Sequence, residues 1–225
     1  MKCVLEFFHL FYLRIFVAIF HVKEESQVKK ILHKNAYFKK VDTILKKTYK
    51  GLNPYTIAKQ FAEEKNLKEI HTYGETPLTS LYSILKKCSL SKTDHFFDLG
   101  CGRGRVSFFT HAYFGCSTTG VDFTPRFIHL AKQISALLPA PPSFLCQDML
   151  KIDLSTASYI YFYALFLDDI DFNRMIEKFA SLQRGTRIIT VSFSLEEYSP
   201  KFKVLFSEEA LFAWGKTEIF LNESI

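Results

Sequence analysis

The sequence predicts an α/β protein. Its core is a doubly wound, seven-stranded sheet with an antiparallel last strand, preceded by a helical N-terminal extension. Three observations carry this. From residue 95 onward, short apolar strands alternate with amphipathic helices, the pattern of a parallel sheet covered on both faces. The run Phe96-Phe97-Asp98-Leu99-Gly100-Cys101-Gly102-Arg103-Gly104-Arg105 takes an apolar strand through a tight glycine turn into a helix. That geometry brings backbone N–H groups close to a nucleotide-type ligand. At the other end, residues 202–206 and 217–221 form a strand pair with no helix between them after Trp214-Gly215.

The elements follow in order. Residues 1–22 are strongly apolar, interrupted by Glu6, His9 and Arg14. They suit a buried or interfacial helix. A second reading makes them a membrane-associated segment facing the cytoplasm, because a basic block follows directly. No small-residue cleavage site of the A-x-A type is present, so a secretory signal is not indicated. Between Lys23 and Lys50 nine lysines oppose Glu24, Glu25 and Asp42, so this segment carries all of the net charge of +6. Val28, Ile31, Leu32, Phe38, Val41, Ile44 and Leu45 interleave with them at helical spacing, which predicts amphipathic helices with basic outer faces. Such a face is usually solvated. It also suits an acidic partner, nucleic acid or an anionic membrane. Asn53-Pro54 opens a helix running to about Asn66, and Pro77 opens one carrying Leu78, Leu81, Ile84 and Leu85. Strands are expected near 95–99, 117–121, 143–147, 158–163 and 186–193, and helices near 104–113, 125–137 and 169–180. The domain boundaries read as 1–22, 23–72 and 73–225.

The glycine loop indicates its own ligand. Gly100 permits the turn out of the strand, and Gly102 and Gly104 keep Cβ atoms away from a bound group. The spacing is G-x-G-x-G, not the G-x-G-x-x-G of a dinucleotide site. Asp98 would repel a pyrophosphate, and it suits a cation. S-adenosylmethionine (SAM) carries both an ammonium and a sulfonium. Asp122 ends a second strand about 20 residues beyond the loop, where an acid accepts from ribose hydroxyls. Cys3, Cys88, Cys101, Cys116 and Cys146 are scattered with no C-x-x-C pair. They indicate neither a zinc site nor a disulfide framework, and a reducing, cytoplasmic compartment is the simple reading. The histidines show no metal spacing.

From about Tyr73 onward the chain resembles class I SAM-dependent methyltransferases. Within these it is most similar to the non-SET histone lysine methyltransferases of the disruptor-of-telomeric-silencing family. The glycine motif is common to the class. The narrower likeness rests on Tyr73-Gly74-Glu75-Thr76 upstream of the first strand, and on Arg187-Ile188-Ile189-Thr190 and Trp214-Gly215-Lys216 near the end. The resemblance implies that Tyr73 and Thr76 contact the methionine part of SAM, and that Asp98 and Gly100 hold its amino-acid end, beside Gly102 and Gly104, which the turn itself marks as cofactor-binding. It implies further that Asp122 takes the ribose and that Asp148 with Met149 flanks the adenine. Arg105 stands where the family has a glutamine. Tyr163-Ala164 stand where it has two asparagines beside the methyl-transfer site. Tyr163 and Glu75 are therefore the candidate catalytic residues, Tyr163 to orient the acceptor nitrogen and Glu75 to orient the amine or close the loop. The expected activity is methyl transfer to a protein lysine. The alternatives are a small-molecule or RNA acceptor, or a SAM-binding fold that docks nucleic acid or a membrane through its N-terminal region.

Overall fold

The computed structural model describes residues 2–67, 73–164 and 167–225, with side chains from Arg14 onward. Helix α1 (Lys2–Ile31) runs without a break through the point where the apolar run meets the basic block. A short 3-10 turn (Leu32–Lys34) leads to α2 (Ala36–Thr48), whose N-cap Asn35 accepts from the Phe38 N–H. Helix α3 (Pro54–Glu64) has Asn53 as its cap, accepting from the Tyr55 N–H, and Pro54 in its first turn. Helix α4 (Leu78–Lys87) follows Pro77.

Strand–helix alternation then builds the sheet. Its elements are β1 (His95–Leu99), α5 (Arg105–Phe114), β2 (Ser117–Asp122), α6 (Pro125–Ser135), β3 (Ser143–Cys146), β4 (Tyr159–Phe162), α7 (Asp169–Ala180) and β5 (Arg187–Val191), closed by β6 (Phe202–Phe212) and β7 (Gly215–Ser224). The order is β3-β2-β1-β4-β5-β7-β6. The first five strands are parallel, and β7 runs antiparallel between β5 and β6. The chain reverses its strand order beside β1, so the carboxyl ends of β1, β2 and β4 open on one crevice. Open α/β sheets bind their ligands in such a crevice.

Two apolar layers flank the sheet. One holds Phe97, Leu99, Ile160, Phe162, Met175 and Phe179 beneath α7. The other runs from Phe96, Phe108, Phe109 and Phe127 into Val28, Leu32, Phe38, Val41 and Leu45 of the N-terminal helices. The apolar stripe of the basic block is thus part of the main core, while Lys29, Lys30, Lys34, Lys39, Lys40, Lys47 and Lys50 stay on the outer face.

The membrane reading of residues 1–22 is corrected here. Among the described residues, no helix is long and apolar enough to cross a membrane. From Lys23 the helix turns charged, and its buried residues Glu24 and Val28 face the protein's own interior.

Candidate functional site

The turn after β1 is built on left-handed backbone. Gly100, Gly102 and Gly104 have φ of 78°, 52° and 78°, a region that other residues enter at a cost. The Gly100 and Cys101 N–H groups both reach the Val121 carbonyl, at 2.8 and 2.9 Å. Asp122 stitches the crevice together: its carboxylate accepts from the Gly102 N–H and from the Thr124 N–H, each at 2.7 Å. Burial raises its pKa although both N–H groups oppose this. Asp122 therefore fixes the loop, and the lone pairs left over are what it can offer a ribose. The glycines differ in purpose. A Cβ on Gly102 would lie 3.0 Å from the Tyr73 ring, whereas one on Gly104 would strike Phe144 at 2.7 Å. The bare Gly104 makes room for the protein's own packing.

Asp98 is 2 % exposed and accepts from the Ser107 hydroxyl at 2.6 Å. Burial pushes its pKa up to about 7; Ser107 works against this and the nearby Asp122 adds to it. A buried carboxylate held by a single serine, through its hydroxyl and its backbone N–H, has electrostatic capacity for a cation.

The segment 73–76 lies across the loop. Tyr73 donates to Glu75 at 2.6 Å, and Arg103 pairs with Glu75 at 2.5 Å. Arg105 approaches the same carboxylate at 3.6 Å. Burial alone would raise the Glu75 pKa, but the two arginines and the Tyr73 hydroxyl hold it below the ordinary carboxylate value. Glu75 is thus an ionised, fully engaged side chain. Thr76, also buried, hydrogen-bonds the Tyr161 hydroxyl and ties the segment to β4.

At the carboxyl end of β4, Tyr163 stacks on Trp214 with centroids 5.9 Å apart and planes at 23°. Phe212 backs the pair, 4.6 Å from Trp214. Burial, with Tyr55 nearby, raises the Tyr163 pKa, so its phenol stays neutral. Asp148 accepts from the Leu150 N–H at 2.9 Å and keeps part of its carboxylate in solvent. Met149 points into the layer beneath α7.

The crevice therefore gathers Tyr73, Glu75, Thr76, Asp98, Asp122 and the three glycines. Sequence reasoning missed the cover supplied by α3. Tyr55 packs edge-on against Tyr73 at 5.1 Å, and Phe61 against the half-exposed Phe123 at 5.5 Å. The Asn53-Pro54 signal locates that helix along the chain, but nothing local says where it docks.

SAM fits this donor set. The buried Asp98, held by Ser107, suits its ammonium, and Asp122 with the glycine turn suits its ribose. The comparisons agree. Residues 55–162 match the family model described as histone methylation protein DOT1. An RNA methyltransferase from Salinibacter ruber superposes with a TM-score of 0.55 at 19% identity, covering 67% of this chain and 93% of that one. The magnesium protoporphyrin IX methyltransferase of Synechocystis PCC 6803, with bound SAM, gives 0.55 at 15% identity over 77% and 98%. This is a class I SAM-dependent methyltransferase fold. The methyltransferase resembles the DOT1 family over the matched residues, and family match and fold together make SAM its cofactor. No curated protein matches the methyltransferase in sequence. The PH0226 protein of Pyrococcus horikoshii OT3 is a further similar structure, with a TM-score of 0.56 at 16% identity over 66% of this chain and 89% of that one.

Proposed function

We propose that the methyltransferase moves the methyl group of SAM to a nitrogen presented through the aromatic mouth formed by Tyr163 and Trp214, with the buried Phe212 behind them. The stacked Tyr163–Trp214 pair at the end of β4 carries this reading. SAM supplies an activated methyl group for in-line displacement, so the protein's work is alignment and exclusion of water. Asp98 would hold the ammonium, Asp122 the ribose, and Asp148 the adenine edge. Apolar walls disfavour a charged amine and so favour the neutral nucleophile. Tyr163, kept neutral, offers its oxygen to the acceptor N–H. The ring faces stabilise the positive charge that develops on the nitrogen.

Two acceptor classes remain in this reading. A protein lysine is favoured by the DOT1 match and by the fit of aromatic walls to an alkylamine. A small molecule or an RNA base is favoured by Tyr163-Ala164, which replace the family's asparagine pair and so reshape the acceptor side. RNA and small-molecule methyltransferases also stand among the similar structures. Labelled-methyl transfer from SAM into separated protein, RNA and small-molecule fractions decides between the two. Trp214→Ala should lower transfer roughly tenfold, the loss of one cation–π wall, with SAM affinity unchanged. Equal transfer by this variant would remove the aromatic mouth from the reading.

A further inference from the structure

Helix α1 carries two adjacent acids that reach opposite ends of the same loop. Glu24 is 8 % exposed and accepts from the Thr79 N–H at 3.1 Å and the Thr79 hydroxyl at 2.5 Å. Thr79 lies in the first turn of α4, whose own N-cap, Pro77, provides no side-chain cap. Glu24 therefore caps α4 from a different helix, satisfying a first-turn N–H and placing negative charge at the positive end of the dipole. Glu25 accepts from Arg105 at 3.1 Å and from Lys46 of α2 at 2.5 Å. Lys46 also bonds Asp42 at 2.7 Å, and Asp42 meets His33 at 2.8 Å. Arg105 opens α5 directly after the glycine turn, and its other nitrogen faces Glu75 at 3.6 Å. The segment 73–76 lies between these two grips. One end is held at Glu75 through Arg105, the other at the start of α4 through Glu24.

We propose that Glu24, Glu25 and Arg105 are positioning residues through which α1 holds the 73–76 loop in place over the cofactor crevice and so sets SAM affinity. The proposal rests on the reading of that crevice as the SAM site. A loop ordered only on binding lowers affinity by its ordering entropy, and a loop ordered beforehand does not. Arginine suits the task because its planar fork can face two carboxylates at once. Arg105 does so with Glu25 on one side and Glu75 on the other.

The test uses the full chain. SAM binding is measured by calorimetry for wild type, Glu25→Gln, Arg105→Gln and the double variant. Amide hydrogen exchange at residues 73–76 is followed in the ligand-free proteins. The expected result is a loss of about tenfold in SAM affinity for each single variant, with the double variant no weaker than either, as residues in one network couple. Exchange at 73–76 should accelerate, and in Glu25→Gln, where the replaced side chain is partly exposed, the urea midpoint should stay where it is. Unchanged affinity, losses that multiply in the double variant, or a loss confined to Arg105→Gln would each overturn the proposal. If Arg105→Gln does not fold, the partly exposed Glu25 and the α4 cap, as Glu25→Gln and Glu24→Gln, carry the same comparison. If wild type binds no SAM, the cofactor reading fails, and the exchange rates at 73–76 alone decide whether α1 braces the loop.

Discussion

Asp98 and Asp122 end neighbouring strands in the same crevice, yet they are employed differently. Asp122 is held by the backbone N–H groups of two residues, Gly102 and Thr124, while Asp98 is held by Ser107 alone, through its hydroxyl and its N–H. The raised pKa of Asp98, about 7, gives SAM binding a pH dependence with a definite sign. The bound ammonium favours the carboxylate, so affinity should be full above about pH 7. Below that value it should fall by roughly tenfold per pH unit as Asp98 takes up a proton in the free protein. Calorimetry from pH 5 to 8 measures this, and a flat profile would remove Asp98 from the cofactor site. Asp98→Ala should abolish binding without unfolding the domain. Gly104→Ala tests packing instead: its Cβ would meet Phe144 at 2.7 Å in a left-handed turn. Urea unfolding should show a loss of about 1–3 kcal/mol. Gly185→Ala shares the positive φ but has open space around it, and should lose about 1 kcal/mol.

At the scale of elements, α1 and α2 behave as part of the methyltransferase core, although their sequence shows a basic, amphipathic block. Val28, Leu32, Phe38, Val41 and Leu45 are each at most 2 % exposed and join the layer that contains Phe108 and Phe109. Removing residues 2–50 should therefore abolish the cooperative thermal transition seen by circular dichroism. A remainder that unfolds like the whole chain would contradict this. The periodicity of the block was enough to locate both helices, because lysines and apolar residues alternate at helical spacing. It could not identify their neighbour. The closing hairpin shows the converse. Residues 202–206 and 217–221 read as short strands, yet β6 and β7 run over Phe202–Phe212 and Gly215–Ser224. Ser207-Glu208-Glu209 carries no local strand signal. It is extended because each residue pairs with β7, and because Glu208 meets Ser83 and Lys87 of α4 at 2.7 Å each.

In the whole molecule, one buried amide joins the parallel sheet to its antiparallel end. Asn222 on β7 is fully buried, accepts from the Leu195 N–H at 2.9 Å, and donates to the Ile188 carbonyl and the Thr190 hydroxyl at 3.1 and 3.0 Å. Asn222→Ala strands these partners away from water and should cost at least about 2 kcal/mol in urea unfolding. The sequence by itself determined the strand–helix alternation, the glycine turn and the acids at the ends of β1 and β2. These depend on backbone conformation and short-range hydrophobic period, which are encoded within a few residues of one another. Only the tertiary structure decided that α3 lies over Tyr73, that Glu24 and Glu25 reach α4 and Arg105, and that Trp214 stacks on Tyr163. Each of these joins residues far apart in the chain, and their local sequence is compatible with many other partners. Packing of the whole domain selects one of them.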